Sequence, residues 1–264
     1  MKHSHSVKAK KHLGQHFLAD EHTAQRIADS LENPSGLTVL EIGPGTGALT
    51  RPLLQRNDIQ LWAIDVDHES IVHLQAQDWM PSDKVIEGDF LHMPLSASFG
   101  TEQVIICGNF PYNISSQILF KTLESRSQVP QLVGMFQKEV AERVCSKHGS
   151  KVYGILSVLI QTYYSSEYLF TVPPEVFIPP PKVHSGVLRL VRKTDEPLGF
   201  EYSHLKTIVK AAFNQRRKTM RNALRSADIP LEGIDSATLG LRAEQLSPEA
   251  FQELARIIQL ERQA

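Results

Sequence analysis

Apolar residues follow two alternating patterns along the first half of the chain. Five short runs are apolar and rich in residues that favour β-strands, and between them apolar residues return at helical spacing. This alternation predicts a parallel sheet with right-handed crossovers and helices on both faces. The predicted strands cover 38–43, 60–65, 84–89, 103–109 and 131–136, and the predicted helices cover 49–56, 69–77, 115–125 and 138–147.

The pattern changes twice in the second half. Five prolines in VPPEVFIPPPKVHS (172–185) oppose a helix and favour extended structure, and SGVLRLVRK (185–193) reads as a last strand. Beyond a polar passage, three stretches again have helical spacing, at 204–213, 217–226 and 247–260. We therefore predict an α/β domain over residues 1–199 and a small all-helical domain over residues 200–264.

Composition narrows the functional classes. With 41% hydrophobic and 22% charged residues, the 264-residue chain resembles an ordinary globular protein. Its two cysteines, Cys107 and Cys145, indicate neither a disulfide framework nor a cysteine metal site, and no histidine spacing indicates a metal. No eighteen apolar residues run together, and no apolar export segment follows the basic N-terminus. We expect a cytoplasmic protein with no metal and no membrane contact.

A glycine-rich turn, EIGPGTG (41–47), follows the first predicted strand. Gly43 and Gly45 allow a ligand to approach the backbone closely at the carboxyl end of the strand, where ligands bind in such sheets. The spacing is not that of the dinucleotide fingerprint, and the acidic Glu41 is expected to repel a pyrophosphate. A nucleoside without phosphates suits the turn better than a nicotinamide cofactor does.

Two aspartates end the next two predicted strands. Asp65 can accept both hydrogen bonds of a ribose diol, and Asp89 can accept from an exocyclic adenine amine. Each aspartate taken singly is more typical of a capping residue. Their joint position at consecutive strand ends favours a nucleoside site.

Six motifs are spread over nearly the whole chain. They are GQHFL (14–18), EIGPGTG (41–47), GNFPYNIS (108–115), QKEVAERV (137–144), PEVFIPPPKVHS (174–185) and AFNQRRKTMRNAL (212–224). Together they resemble the KsgA/RsmA family of ribosomal RNA adenine dimethyltransferases. The resemblance implies a Rossmann-like class I methyltransferase sheet, S-adenosylmethionine as cofactor, and two adjacent adenosines in the 3′-terminal hairpin loop of 16S rRNA as substrate. The partner it implies is the small ribosomal subunit or its assembly intermediate.

The GNFPY stretch resembles the N-x-P-Y motif of amino-methylating enzymes, and its residue types suit that chemistry. The Asn109 side-chain oxygen and the Phe110 carbonyl can accept the two amine hydrogens and stabilise charge developing on nitrogen. Pro111 biases Phe110 toward an extended conformation, and Tyr112 offers a stacking face. A plain strand-to-helix turn is the alternative interpretation.

The resemblance also implies three further site residues. His16 and Leu18 correspond to contacts with the methionine end of the cofactor, and Asn109 is also expected to bind the cofactor. The family more usually has Asn where this chain has His16, so a backbone contact is the safer expectation there. Phe177 corresponds to the aromatic residue that meets the target base opposite Tyr112, although a phenylalanine near prolines is often part of a core.

A basic segment lies within the predicted helical domain. From Tyr202 to Ala227 there are seven Lys or Arg residues and no Asp or Glu, although the whole chain has a net charge of −1. Arg217, Arg221 and Arg225 are four apart and are predicted to share one helical face, with Arg216 and Lys218 beside it. Such a face can hold RNA phosphates without reading sequence, while a solvated helix face is the alternative.

Three functional classes stay open at this point. The first is the small-subunit adenine dimethyltransferase, which the basic segment favours. The second is another adenine methyltransferase, acting on large-subunit RNA or on DNA. The third is a non-catalytic assembly factor on the same fold, which the presence of Asp65, Asp89, Asn109 and Tyr112 disfavours.

Overall fold

The computed structural model describes residues 7–195 and 199–261, and in it the five predicted strands are neighbours in one sheet. The strands are β1 (Phe17–Leu18), β2 (Leu37–Ile42), β3 (Ile59–Asp65), β4 (Val85–Glu87), β5 (Val104–Asn109), β6 (Gln131–Gln137), β7 (Tyr164–Val172), β8 (Phe177–Ile178) and β9 (Ser185–Arg192). The helices are α1 (Glu21–Asp29), α2 (Thr50–Leu54), α3 (His68–Gln75), α4 (Leu95–Phe99), α5 (Ser115–Glu124), α6 (Lys138–Cys145), α7 (Ile155–Tyr163), α8 (Tyr202–Asn214), α9 (Met220–Arg225), α10 (Ser236–Gly240) and α11 (Pro248–Glu261).

The main sheet has seven strands in the order β4-β3-β2-β5-β6-β9-β7. The strands from β2 to β6 pair in parallel, which confirms the predicted doubly wound α/β fold. The last predicted strand, β9, joins β6 in the antiparallel direction, an addition that parallel sheets often carry at one side. The elements with no counterpart among the predicted helices and strands are α1, α4, α7, α10, β1 and β7.

Pairing in register brings several strand ends to one edge. Ile42 lies opposite Ile64, so the glycine turn after β2 begins beside the end of β3 at Asp65. Asn109, at the end of β5, lies opposite Met135. The carboxyl ends of the parallel strands therefore present their loops to a common space.

Apolar side chains on the sheet and its covering helices hold this edge in place. Val39, Ile105 and Val133 from three adjacent strands are buried with Ile27 of α1 and Leu53 of α2. Burial of each such side chain contributes about 1.5–3 kcal/mol.

The proline-rich passage contains no α-helix, as predicted, but it is extended only in part, because a 3-10 turn spans Pro174–Val176 and the chain bends at 179 and 182–183. Its strand β8 pairs with β1 in a separate two-stranded antiparallel sheet. Phe17 lies opposite Ile178, and Leu18 lies opposite Phe177. Residues near the N-terminus are thereby tied to the segment that precedes β9.

Packing divides the chain into two compact units: the described parts of Met1–Ala141 with Glu167–Arg192, and those of Glu142–Ser166 with Lys193–Ala264. In the second unit α7, α8 and α11 pack together, and α9 packs on α8 and α10. The apolar α7 thus belongs by packing with the C-terminal helices. The functional boundary between residues 199 and 200 stays a prediction. No helix in the described part of the chain is long and apolar enough to cross a membrane.

Candidate active site

A cavity of about 210 Å³ lies in the first unit at the carboxyl edge of the sheet. The described residues that line it include two carboxylates but no lysine or arginine, which opposes binding of a phosphate group. They are Leu13, Gly14, Gln15, His16, Phe17, Gly43, Gly45, Asp65, Val66, Asp89, Leu91, Asn109, Phe110, Pro111, Tyr112, Asn113 and Ile114.

The predicted glycines form part of this lining. Gly43 and Gly45 have φ values of 68° and 54°, a backbone region that glycine adopts without steric cost. A Cβ atom at Gly45 would lie 2.8 Å from the ring of Phe17, so a side chain there would displace that ring. The turn therefore needs glycine both for its conformation and for close packing.

Asp65 lies at the end of β3 and is only 8% exposed. Burial raises the pKa of its carboxyl, and the hydrogen bond from the backbone N–H of Asp67, at 2.9 Å, acts in the opposite direction. Each carboxylate oxygen accepts two hydrogen bonds, so Asp65 keeps capacity for a diol.

Asp89 lines the cavity and also caps its own turn. Its Oδ1 accepts from the backbone N–H of Leu91 at 2.8 Å, and its Oδ2 lies 2.7 Å from Nδ1 of His92. The capping and ligand-binding interpretations of this aspartate are therefore compatible.

The expected role of Glu41 is wrong. Its side chain is 1% exposed and is not part of the cavity lining described above, so it does not face a bound ligand. Burial raises the pKa of Glu41 to about 8. Glu41 is thus largely neutral at pH 7, and the discrimination against phosphates rests on the uncharged or acidic lining instead.

The backbone carbonyl of His16 determines how the side-chain amide of Asn109 is oriented. Its Nδ2 donates to the carbonyl oxygen of His16 at 2.9 Å. Since that carbonyl can only accept, the nitrogen of Asn109 must face it, and Oδ1 is left to accept from another donor.

Packing of the Phe110 ring and a hydrogen bond of Tyr112 fix the position of the NFPY turn. The Phe110 ring is 1% exposed, and a Cβ atom at Gly134 would lie 2.2 Å from it, so the glycine on β6 makes the space that the ring fills. The hydroxyl of Tyr112 hydrogen-bonds to that of Ser185 at the start of β9. Burial raises the pKa of Tyr112, and the bond to Ser185 lowers it.

Of the two residues assigned to the methionine end of the cofactor, His16 lines the cavity and Leu18 is part of the core. The His16 ring lies 5.6 Å from the Tyr112 ring, and its Nδ1 lies 2.8 Å from the carbonyl oxygen of Pro179, to which it can donate. The backbone carbonyl of His16 contacts Asn109, while Leu18 is 5% exposed and belongs to the core.

Phe177 is buried with Leu18. Its ring is 2% exposed and lies in the core cluster of the first unit, outside the described cavity lining. Opposed residues of a strand pair share one face, so Ile178 lies on the same face as its cavity-lining partner Phe17. Ile178 is 66% exposed. The stacking role of Phe177 stays a prediction, since the ring must first be uncovered.

Sequence reasoning missed a polar cluster beside the cavity. Asp67 accepts hydrogen bonds from Nζ of Lys10 at 2.5 Å and from Nε2 of Gln15 at 2.8 Å. The available signal was the second aspartate of IDVD, which caps α3 through the backbone N–H of Glu69.

The basic residues of the second unit do not form one helical face as predicted. Helix α9 begins only at Met220, because Thr219 is extended and pairs with Arg242, and the Met220 N–H donates to Leu241. Arg217 and Lys218 lie in the turn before α9, whereas Arg221 and Arg225 lie four apart within it.

Arg216 is engaged inside the second unit. Its guanidinium donates to the carbonyls of Ser150, at 3.4 Å, and Lys151, at 2.7 Å, and lies 4.0 Å from Glu244. This side chain holds the loop before α7, so part of its donor capacity is already used within the protein.

The chain is similar to known proteins over almost its full length. The family model for ribosomal RNA adenine dimethylases matches residues 6–258. The "Ribosomal RNA small subunit methyltransferase A" of Flavobacterium johnsoniae is 51% identical over 253 residues, covering 96% of this chain and 97% of the relative. The protein of that name from Porphyromonas gingivalis is 52% identical over 257 residues, covering 96% and 98%.

Solved structures share the fold. A dimethyladenosine transferase from Plasmodium falciparum has a TM-score of 0.76 at 24% identity, covering 94% of this chain and 98% of that one. The 23S rRNA methyltransferase ErmE has a TM-score of 0.64 at 25% identity, covering 90% and 99%.

Proposed function

The chain belongs to the ribosomal RNA adenine dimethylase family, and we propose that it dimethylates the N6 amines of two adjacent adenosines in the 3′-terminal hairpin loop of 16S rRNA. S-adenosylmethionine is the methyl donor, and the reaction takes place in the cytoplasm during small-subunit biogenesis. The observation that carries the proposal is the orientation of Asn109, whose Nδ2 is held by the His16 carbonyl.

The cavity residues fit an uncharged nucleoside portion of the cofactor. Asp65 is suited to the ribose hydroxyls and Asp89 to the adenine amine, while Gly43 and Gly45 leave their backbone uncovered. The same lining offers no cation for a phosphate. His16 is suited to the methionine end through its backbone carbonyl, and Leu18 supports this segment from the core.

When bound, S-adenosylmethionine supplies a methyl group on a positively charged sulfur. The residues of the chain prepare the acceptor nitrogen, whose lone pair must leave conjugation with the ring. Oδ1 of Asn109 and the Phe110 carbonyl accept the two amine hydrogens and so direct the lone pair out of the ring plane. They also stabilise the positive charge that develops as the N–C bond forms. No strong base is needed, because the methylated nitrogen then loses a proton to water.

The target base must leave its stack to reach this site. Unstacking an adenine costs less free energy in a hairpin loop than in a base-paired helix, and the unstacked base can stack on the face of an aromatic side chain. Tyr112 provides that face, and the resemblance assigns the opposite side to Phe177. Because the Phe177 ring is buried and Ile178 is exposed beside Phe17, Ile178 is a second candidate for the opposite side.

RNA phosphates are assigned to the basic residues of the second unit. Arg217, Lys218 and Arg221 are the favoured contacts, since phosphate binding needs accessible donors but no sequence readout. Arg216 contributes less directly because its donors hold Ser150 and Lys151.

The alternatives are less well supported. The relatives at 51% and 52% identity are named for the small subunit, whereas the large-subunit enzyme ErmE is 25% identical. A DNA substrate has no specific support. A purely structural assembly factor would not need the oriented amide of Asn109.

Mass analysis of nucleosides tests the proposal. Small subunits lacking the modification are incubated with the protein and labelled S-adenosylmethionine, and their RNA is digested. We expect labelled dimethyladenosine from the 3′-terminal hairpin, and large subunits serve as the matched control. Label only in large-subunit RNA would favour the second class, and RNA binding without label would favour the assembly factor.

A further inference from the structure

The segment Lys10–Leu18, here called the N-terminal strap, supplies five of the cavity-lining residues, from Leu13 to Phe17. Its own regular structure is a single 3-10 turn and the two residues of β1. Gly14, with a φ of 67°, joins these two pieces. So short a segment gains little stability from its internal hydrogen bonds, and its position depends on the groups that hold it.

Asp67 is the centre of the polar contacts at one end of the strap. One carboxylate oxygen accepts from Nζ of Lys10 at 2.5 Å and the other accepts from Nε2 of Gln15 at 2.8 Å. The backbone N–H of Lys10 also donates to Oε1 of Gln15 at 2.8 Å, which closes a small network. The side chain of Asp67 is fully buried and that of Lys10 is 28% exposed, so these bonds are partly shielded from water.

The same residue also contacts the candidate ribose-binding carboxylate. The backbone N–H of Asp67 donates to Oδ1 of Asp65 at 2.9 Å. Asp67 further accepts from the backbone N–H of Glu69 at the start of α3. Burial raises the pKa of Asp67, but the hydrogen bonds from Gln15 and Lys10 outweigh it and hold the pKa below its usual value. The carboxylate therefore stays charged at neutral pH.

We propose that Asp67 is a positioning residue that holds the N-terminal strap over the cavity and the Asp65 carboxylate within it at the same time. Asp67 is outside the described cavity lining, so it acts through Gln15 and Asp65. This role rests on the proposed use of S-adenosylmethionine. Breaking the Lys10–Asp67 ion pair frees the strap and weakens cofactor binding, even though neither side chain lines the cavity.

Calorimetry of S-adenosylmethionine binding to Lys10→Met, Asp67→Asn and the double variant tests the role. Asn at position 67 still caps α3, so the helix is retained. We expect each single variant to bind about tenfold more weakly, a change of about 1.4 kcal/mol. The double variant should be no weaker than the weaker single one, because both changes remove one shared interaction.

Glu69→Gln is the matched control, since Glu69 lies 3.3 Å from the same lysine but is 55% exposed. It should bind the cofactor as the parent does. Limited digestion with trypsin measures how firmly the strap is held. Cleavage after Lys11 should be faster in Lys10→Met than in the parent, and cleavage after Lys10 or Lys11 should be faster in Asp67→Asn. Added cofactor should slow the cleavage. Unchanged affinity of the single variants, or additive losses in the double variant, would overturn the role. If the parent itself does not bind S-adenosylmethionine, the proposed function fails instead.

If Asp67→Asn does not fold, Lys10→Met alone tests the positioning role. The lysine side chain is 28% exposed at the edge of the strap, so its replacement is expected to leave the protein folded. The affinity of this variant and its cleavage after Lys11 then carry the comparison with Glu69→Gln. Weaker binding together with faster cleavage supports positioning, and faster cleavage with parental binding refutes it.

Discussion

The side-chain nitrogen of Asn109 donates a hydrogen bond to the backbone carbonyl of His16, 93 residues earlier in the chain, at 2.9 Å. One bond thus links the end of β5 to the N-terminal strap. It also selects which end of the amide can accept from a substrate amine, a choice that the residue type alone leaves open. The orientation of the Asn109 amide and the position of the strap are therefore joined by one hydrogen bond.

Asn109→Ala should reduce the single-turnover rate of methyl transfer on saturating substrate by roughly 100- to 1000-fold, the scale for loss of one preorganised stabilising group. Cofactor affinity should fall much less than the rate, by no more than the roughly tenfold drop expected for loss of another strap contact, since Asp65 and the glycine turn are unchanged and only the bond to His16 is lost. Circular dichroism serves as the folding control. Transfer at the parental rate would show that the mechanism assigned to NFPY is incorrect.

The variants Phe177→Ala and Ile178→Ala should show which of the two residues packs in the core and which contacts the target base. Removal of the buried Phe177 ring is expected to cost about 3–5 kcal/mol of unfolding free energy. Ile178→Ala should change stability by less than about 0.5 kcal/mol, but should slow methyl transfer because the base loses an apolar contact. Urea unfolding and single-turnover transfer measure the two effects. A stable Phe177→Ala variant with slow transfer would instead support base stacking by Phe177.

Glu41→Gln should flatten the dependence of stability on pH. The native pKa of Glu41, about 8, lies above its ordinary value of 4.5, so the native state binds the proton more tightly. The stability that this proton supplies is fully present below pH 4.5 and is lost as pH rises from there through 8.

The glutamine variant should therefore lose less unfolding free energy than the parent between about pH 5 and pH 8, by up to about 1.4 kcal/mol per unit of pKa shift. Urea denaturation at several pH values measures the difference. Glu232→Gln, at an exposed position of the second unit, is a suitable comparison. Parallel stability profiles for the parent and Glu41→Gln would contradict the assignment.

Replacement of both Arg217 and Arg221 by Ala should weaken RNA binding. The slope of log affinity against log salt should fall by about 0.7–0.9 for each phosphate that the variant no longer binds. Cofactor affinity should not change. Arg216→Ala is the contrast, because it removes donors from Ser150 and Lys151 and should lower the melting temperature. A parental salt slope in the Arg217 and Arg221 variant would mean that these side chains are only solvated.

Local pattern in the sequence was sufficient for the five parallel strands of the sheet and for much of the candidate site. Apolar periodicity identified β2 to β6, and parallel strands must end at one edge. Gly43, Gly45, Asp65, Asp89 and Asn109 were therefore expected together, and all five line the cavity. The reason is physical: the spacing of apolar residues and the direction of a parallel strand are properties of neighbouring residues.

Only tertiary structure decided the contacts between distant residues. The burial of Glu41 and Phe177, the orientation of Asn109 and the hydrogen bonds of Asp67 all depend on groups that pack together from separate elements. The helix predicted over 217–226 likewise begins only at Met220, because Thr219 pairs with Arg242 and the N–H of Met220 donates to the carbonyl of Leu241. Such hydrogen bonds and burials form only after the chain has folded, so they leave no periodic signal in the sequence that encodes them.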